Sequence, residues 1–323
     1  MHGIFSIFRK EMEDYFSSTR FLLILALIVM VGIIIASMVG MGIREEVKGM
    51  AKPTLLFLYL FTSTGKLFSL IQFIGFFGPL IGIVLGFDVI NRERAERTLS
   101  KLVSQPIYRD AIINGKFLAG VATIAIMLVA ITLMISALGI RVLGIVPGAE
   151  EVLRLLLYLV LSVLYISFWL GLSILFSVVF KSTSTSALAA LAIWIFSSFL
   201  VPLSAGFISD AVAPVPTQEA QNATDVEAVL RHAEVQRVVY LFSPTTLYTE
   251  STSTILDPMR NTTSALVLVG PMERLSLQRF QGPLPVGQSL AIVAPHMISL
   301  FALTFLCFGI CYWAFMRQEI RTV

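Results

Sequence analysis

Six stretches of the chain, residues 21–42, 67–87, 117–140, 155–180, 186–208 and 290–316, carry no Asp, Glu, Lys or Arg and are almost wholly apolar. Each is about 20 residues or longer, and at ~1.5 Å per residue such a helix crosses a hydrocarbon layer ~30 Å thick. A helix keeps its backbone hydrogen bonds internal, as lipid requires. The expected fold class is therefore an all-α integral membrane protein with six transmembrane helices. Although the first stretch is near the N-terminus, it is too long for a signal peptide, and it follows Glu11, Glu13 and Asp14 without a small-residue cleavage site.

The polar segments divide the rest. Residues 1–20 place Ile4, Phe5, Ile7, Phe8, Met12, Tyr15 and Phe16 toward one side of a helix and Arg9, Lys10, Glu13 and Asp14 toward the other. That is the pattern of an amphipathic helix lying in the membrane interface, as a simple anchor or with a further role. Residues 21–208 hold spans one to five and a polar loop at 88–116. Residues 209–289 form a long segment or small cap, and 290–323 the sixth span and a tail. In the long segment a helix is expected after Thr224 or Asp225, with Val226, Val229, Leu230, Ala233 and Val238 on a buried face. About 80 residues is marginal for an independent core, so this segment should lean on the membrane portion or on a second copy. The apolar stretch 54–63 is too short to cross; it should lie in the interface or extend the second span.

Composition agrees with the pattern. Of the residues 57% are hydrophobic and 13% charged, against about 45–50% and ~25% in soluble domains. Positive charge then gives orientation. With the N-terminus cytoplasmic, the inner short segments hold 12 Lys and Arg and the outer ones 6, which favours both termini in the cytoplasm of a plasma-membrane protein. Segment 209–289 then lies outside, where the sequons at Asn222 and Asn261 could be glycosylated.

The spans exclude several mechanisms. An ion-coupled carrier, pump or voltage sensor needs ionisable side chains at membrane depth, and the six stretches offer only Gln72 and His296. His296, after Pro295, reads as a hydrogen-bonded interfacial residue in preference to a proton relay. Cys307 and Cys311 are four apart, too few ligands for a metal site, and read as small buried residues. No catalytic constellation and no phosphate-binding GxxxxGK[ST] loop is present; Ser63-Thr64-Gly65-Lys66 lacks the leading glycine, since Leu60 stands there. The chain is not expected to be an enzyme, to hold a metal or cofactor, or to bind nucleic acid. Small residues recur at helical spacing, Gly32, Ala36 and Gly40 on the first span and Gly78, Gly82 and Gly86 on the second. Such faces serve close packing within one subunit or between subunits.

Loop 88–116 mixes both signs at Arg92, Glu93, Arg94, Glu96 and Arg97, unlike a lipid-binding polybasic tract. From residue type alone it is a solvated connector or a protein-binding segment, with Leu99, Leu102 and Val103 on one face of a short helix that stops before Pro106. Its wording, Glu93-Arg-Ala-Glu96-Arg97-Thr98-Leu99-Ser-Lys-Leu102-Val-Ser-Gln105-Pro106-Ile, followed by Gly115-Lys116, resembles the ABC-2 family of ABC transporter permeases, and Leu-Val-Ser-Gln-Pro-Ile is similar to its NosY and NatB-like branch. The resemblance implies a coupling helix that docks on a separate cytosolic ABC ATPase, with Glu93, Glu96, Thr98, Leu99, Leu102, Gln105 and Pro106 matching the motif. Arg92, Arg94 and Arg97 join them as exposed charges for a partner's acidic rim. Arg97 replaces the family's usual glycine, which implies a less tight turn. ATP and Mg would sit on the partner, and a second permease copy or paralogue would complete an exporter embedded in membrane lipid. The alternative is a mechanotransmitter or anchor whose external segment acts on a partner without moving a substrate.

Overall fold

The computed structural model describes residues 2–46, 55–62, 69–98, 108–214, 223–258 and 283–317. Among them regular structure is helical throughout, with no strand. Six helices are long and apolar enough to cross a membrane: Thr19–Ile43, Leu70–Ala95, Arg109–Leu143, Ala149–Val179, Thr183–Val212 and Val286–Arg317. Each expected stretch falls on one of them, so the all-α, six-span reading holds.

Numbered along the chain, α1 is His2–Ser17, α2 Thr19–Glu46, α3 Tyr59–Thr62, α4 Leu70–Gly86 and α5 Asn91–Ala95. Then come α6 Arg109–Leu143, α7 Ala149–Val179, α8 Thr183–Ile195, α9 Val201–Val212, α10 Ala223–Tyr240, α11 Pro244–Leu256 and α12 Val286–Arg317. The ends follow from local chemistry. Ser69 and Gln72 cap α4 reciprocally, the Gln72 amide donating to Ser69 Oγ at 3.2 Å and the Ser69 amide to Gln72 Oε1 at 3.1 Å. Gly144, at φ 65, closes α6 in the left-handed conformation that glycine adopts without steric penalty.

Helix α7 is the axis of the bundle, touched by α4, α6, α11 and α12. Its Tyr158, Tyr165 and Trp169 are fully buried. The α4 contact depends on missing side chains. A Cβ on Gly82 would stand 2.7 Å from Ile166 O and 2.8 Å from Leu170 N, and one on Gly86 2.8 Å from Ser173 Cβ. Gly78 faces the Ile166 side chain, with Cγ1 at 3.1 Å, and on α2 Gly32 and Gly40 face Ile135 and Val142 of α6 beside buried Ala36. Both small-residue faces thus meet helices of the same chain.

Two segments depart from simple expectation. Residues 56–61 form a short turn and α3 separate from α4: Leu56, Phe57, Leu58, Leu60 and Phe61 are buried, with Leu60 and Phe57 filling the space beside Gly139 of α6. Glu151, in the first turn of α7, holds this turn by accepting the Phe57 amide at 3.0 Å. The fifth span contains a π-helical turn at Phe196–Leu200 between α8 and α9. There Val201 N–H donates to Phe196 O, so Ser197 O should meet residue 202 in the same register. Residue 202 is Pro and has no N–H to give. Ser243 Oγ supplies the missing donor at 3.2 Å.

That bond introduces α11. Ser243 also caps this helix by accepting the Thr246 amide. Along α11, Tyr248 stacks on Tyr165 at 4.4 Å, and its hydroxyl meets Ser162 Oγ at 2.9 Å. At the far end fully buried Arg154 of α7 donates to Ile255 O at 2.6 Å and also reaches Leu284 O and Ser289 Oγ. A polar helix from the segment between spans five and six thus lies along α7, α12 and α4. Its neighbour α10 forms where a helix was expected, although Val238 is 52% exposed and not on a buried face.

Candidate functional site

At one end of the bundle α1, α5, the start of α6 and the end of α7 converge. The stripe Ile7, Glu11, Tyr15 on α1 sits at four-residue spacing and faces the bundle. Ile7 Cγ2 lies 2.9 Å from where Gly115 would carry a Cβ, so α1 rests directly on the α6 backbone. One residue on, Lys116 is 1% exposed. Its Nζ donates to Glu11 Oε1 at 2.7 Å and lies 2.8 Å from Glu93 Oε1, the second contact lacking the angle of a directed hydrogen bond. Half-exposed Lys10 approaches the same two carboxylates at 3.7 and 3.9 Å. Two ammonium groups thus balance two carboxylates, which is what lets Glu11 and Glu93 remain buried.

The polar loop leaves α4 through further polar contacts. Ser177 Oγ of α7 accepts the amides of Ile90 and Asn91 at 3.0 and 3.1 Å. Arg94 does not present an exposed charge. It is half-buried and caps the end of α7, donating to Val178 O at 2.8 Å, Phe180 O at 3.2 Å and Ser177 O at 3.4 Å, where a helix C-terminus attracts a cation. Glu93 likewise points inward, while Arg92, Glu96 and Arg97 lie on the exposed side. Arg97 makes the turn expected of glycine after all, at φ 56, with Thr98 Oγ1 donating back to Glu93 O. A side chain in that region costs ~1–2 kcal/mol, so α5 ends as tightly as with glycine, under strain. Leu99, Leu102, Gln105 and Pro106 lie outside the described residues, as do Asn222 and Asn261.

A shallow cavity of about 280 Å³ opens beside this junction, lined by Tyr15, Arg20, Leu85, Asp88 and Arg92 among others. Arg20 and Asp88 pair across it at 2.7 Å, and Tyr15 donates to Leu85 O at 3.1 Å. Burial, with the charges of Glu11 and Asp88 adding, pushes the Tyr15 hydroxyl up, so it stays protonated as a donor. The junction is thus a set of directed contacts between α1, α4 and the loop.

Sequence reasoning placed Glu93 and the Arg residues at this loop but missed Lys116 and Glu11 as its anchor. A signal existed, because Glu11 falls four residues after Ile7 and four before Tyr15, on the apolar stripe of α1. His296 also has a partner that was not anticipated: its Nε2 lies 3.2 Å from Glu250 Oε2 of α11, both side chains being buried. Cys307 and Cys311 are buried, and among the described residues no group of three or more His, Cys, Asp or Glu could hold a metal ion.

No curated protein matches the chain. The family model described as ABC-2 family transporter protein matches residues 5–320. That match takes in α1, the six long helices, the loop junction and α11 alike. With six apolar helices, a motif-bearing polar loop braced by buried ion pairs, and a match over nearly its whole length, the chain belongs to the ABC-2 family, as a multi-pass membrane permease subunit of an ABC transporter that works with a cytosolic ABC ATPase.

Proposed function

We propose that the chain is half of an exporter driven through segment 92–106 as its coupling helix. Both termini lie in the cytoplasm of the plasma membrane, ATP and Mg bind on the partner, and a second permease copy or paralogue completes the pathway within the lipid. The observation that carries this reading is the buried Lys116 triad. It joins the start of the coupling segment at Glu93 to the third span at Lys116 and to the amphipathic helix at Glu11. A push on the segment by a closing ATPase therefore reaches two other elements through contacts shorter than 3 Å. Arg94, bonded to the end of α7, carries the same push to the axis of the bundle.

The test is to replace Leu99 and Leu102 together with Ser. If they fill a pocket on the ATPase, loss of two anchors at about 1–2 kcal/mol each weakens docking by roughly one to three orders of magnitude. Insertion and folding should persist, since no span changes. Co-purification with the ATPase and transport-linked ATP hydrolysis should both fall while membrane levels stay normal. Retention of both would assign the loop to another role.

A further inference from the structure

Helix α11 is unusually polar for one packed along three span helices. Its inward face is explained by the Tyr248, Ser243 and Arg154 contacts. On its other face, where Glu250 meets a span through His296, Thr246, Thr249, Glu250 and Ser253 follow at the spacing of one helical stripe and line a groove of about 270 Å³ shared with Ile71 and Gln72 of α4, Pro202 of α9 and Tyr240 of α10.

The α11 wall of this groove is made of acceptors, while Gln72, whose Oε1 already accepts the Ser69 amide, and Tyr240 bring an N–H and an O–H donor from the facing walls. Thr249 spends its hydroxyl proton on Thr245 O at 3.0 Å, and Thr246 spends its own on Ser243 Oγ at 3.0 Å. Both therefore turn only lone pairs outward. Glu250 adds a carboxylate that is 8% exposed, with His296 Nε2 beside Oε2. His296 Nδ1 is buried and has no hydrogen-bond partner among the described residues. Burial raises the Tyr240 hydroxyl, and the charge of Glu250 raises it further, so the carboxylate acts on the groove from its wall. On the α11 wall a carboxylate flanked by two hydroxyls that can only accept calls for a group that brings N–H donors and positive charge.

We propose that this groove binds a primary ammonium group of the transported molecule, with Glu250 as counter-charge, the Thr246 and Thr249 oxygens as acceptors, and His296 as a positioning residue behind Glu250. The inference rests on the permease reading for the word transported; the site itself does not need the ATPase. A soluble amine or the headgroup of an aminolipid could supply the same chemistry.

The full chain in phosphatidylcholine nanodiscs, without ATPase, is titrated calorimetrically with four molecules of similar shape: phenethylammonium, its N-trimethyl analogue, phenylethanol and phenylacetate. Phenethylammonium should bind best, the trimethyl analogue more weakly for want of N–H donors, and phenylacetate least. Glu250→Gln, nearly the same size, should weaken phenethylammonium about ten- to a hundredfold and leave phenylethanol unchanged. Thr249→Val, which removes an acceptor but no charge, should weaken it several-fold and decides the matter if the first variant does not fold. Nanodiscs with added phosphatidylethanolamine separate the sources: competition identifies the lipid headgroup, and unchanged affinity a soluble amine. Equal affinity of wild type and variants, equal binding of phenylacetate, or no binding by any of the four overturns the proposal. Because no ATPase is present, failure here is distinct from failure of the Leu99 and Leu102 test.

Discussion

Removing one member of a buried charge set costs more than the set contributes, because the others are left desolvated and unpaired. Lys116 is such a member. Lys116→Met, which keeps the volume and the apolar stem, should lower stability by about 3–5 kcal/mol, seen as a lower thermal midpoint in nanodiscs and reduced membrane levels. Adding Glu11→Gln and Glu93→Gln should recover part of that loss, since amides tolerate burial better than unpaired carboxylates. A triple variant no more stable than the single one would mean that the triad does not act as an electrostatic unit. Why sequence reading missed it is plain at this scale. Lys116 counts simply as one positive charge before an apolar run, while its partner Glu11 is 105 residues away. Spacing within one helix can show that Glu11 faces inward, but not what it meets there.

Among elements, legibility depended on period and length. The spans were readable because each is long, apolar and uncharged, and the close-packing faces because glycine at four-residue intervals leaves a flat helix side. The recipient of each face was not readable. Structure gives Gly82 an immovable neighbour, the α7 backbone, and Gly32 side chains no nearer than 3.6 Å. Gly82→Ala should thus separate α4 from α7 at a cost of about 1–3 kcal/mol. Gly32→Ala should be neutral or stabilise by up to ~1 kcal/mol, from helix propensity alone. Thermal midpoints of the two variants make the comparison, and equal effects would mean that α4 and α7 do not pack as described. The π turn and α11 were illegible for a related reason. Pro202 announces a break, yet only the approach of Ser243 shows how the freed carbonyl is satisfied. Meanwhile Pro244-Thr-Thr-Leu-Tyr-Thr-Glu-Ser-Thr is too polar to read as anything but a loop or surface helix. Its polarity is met by Tyr165, Ser162 and Ser198, none of which lies within forty positions of it in sequence.

For the molecule as a whole, ion pairs tie together each end of the bundle. One end joins Lys10, Arg20, Arg94 and Lys116 with Glu11, Asp88 and Glu93 through contacts among α1, α5 and α6 and with the end of α7, and the other gathers Glu150, Glu151 and Arg154 at the start of α7. Contacts fix which segments share an end; the positive-inside tendency proposes that the first end is cytoplasmic. Single cysteines at Ser104→Cys and Asn222→Cys test that assignment on intact cells with a membrane-impermeant maleimide. Native Cys307 and Cys311, 5% and 0% exposed, should contribute little background. The label should reach position 222 from outside at once and position 104 only after the membrane is opened. Equal access to both from outside would place the proposed coupling segment away from any cytosolic ATPase, and the bundle would then have to be driven from elsewhere.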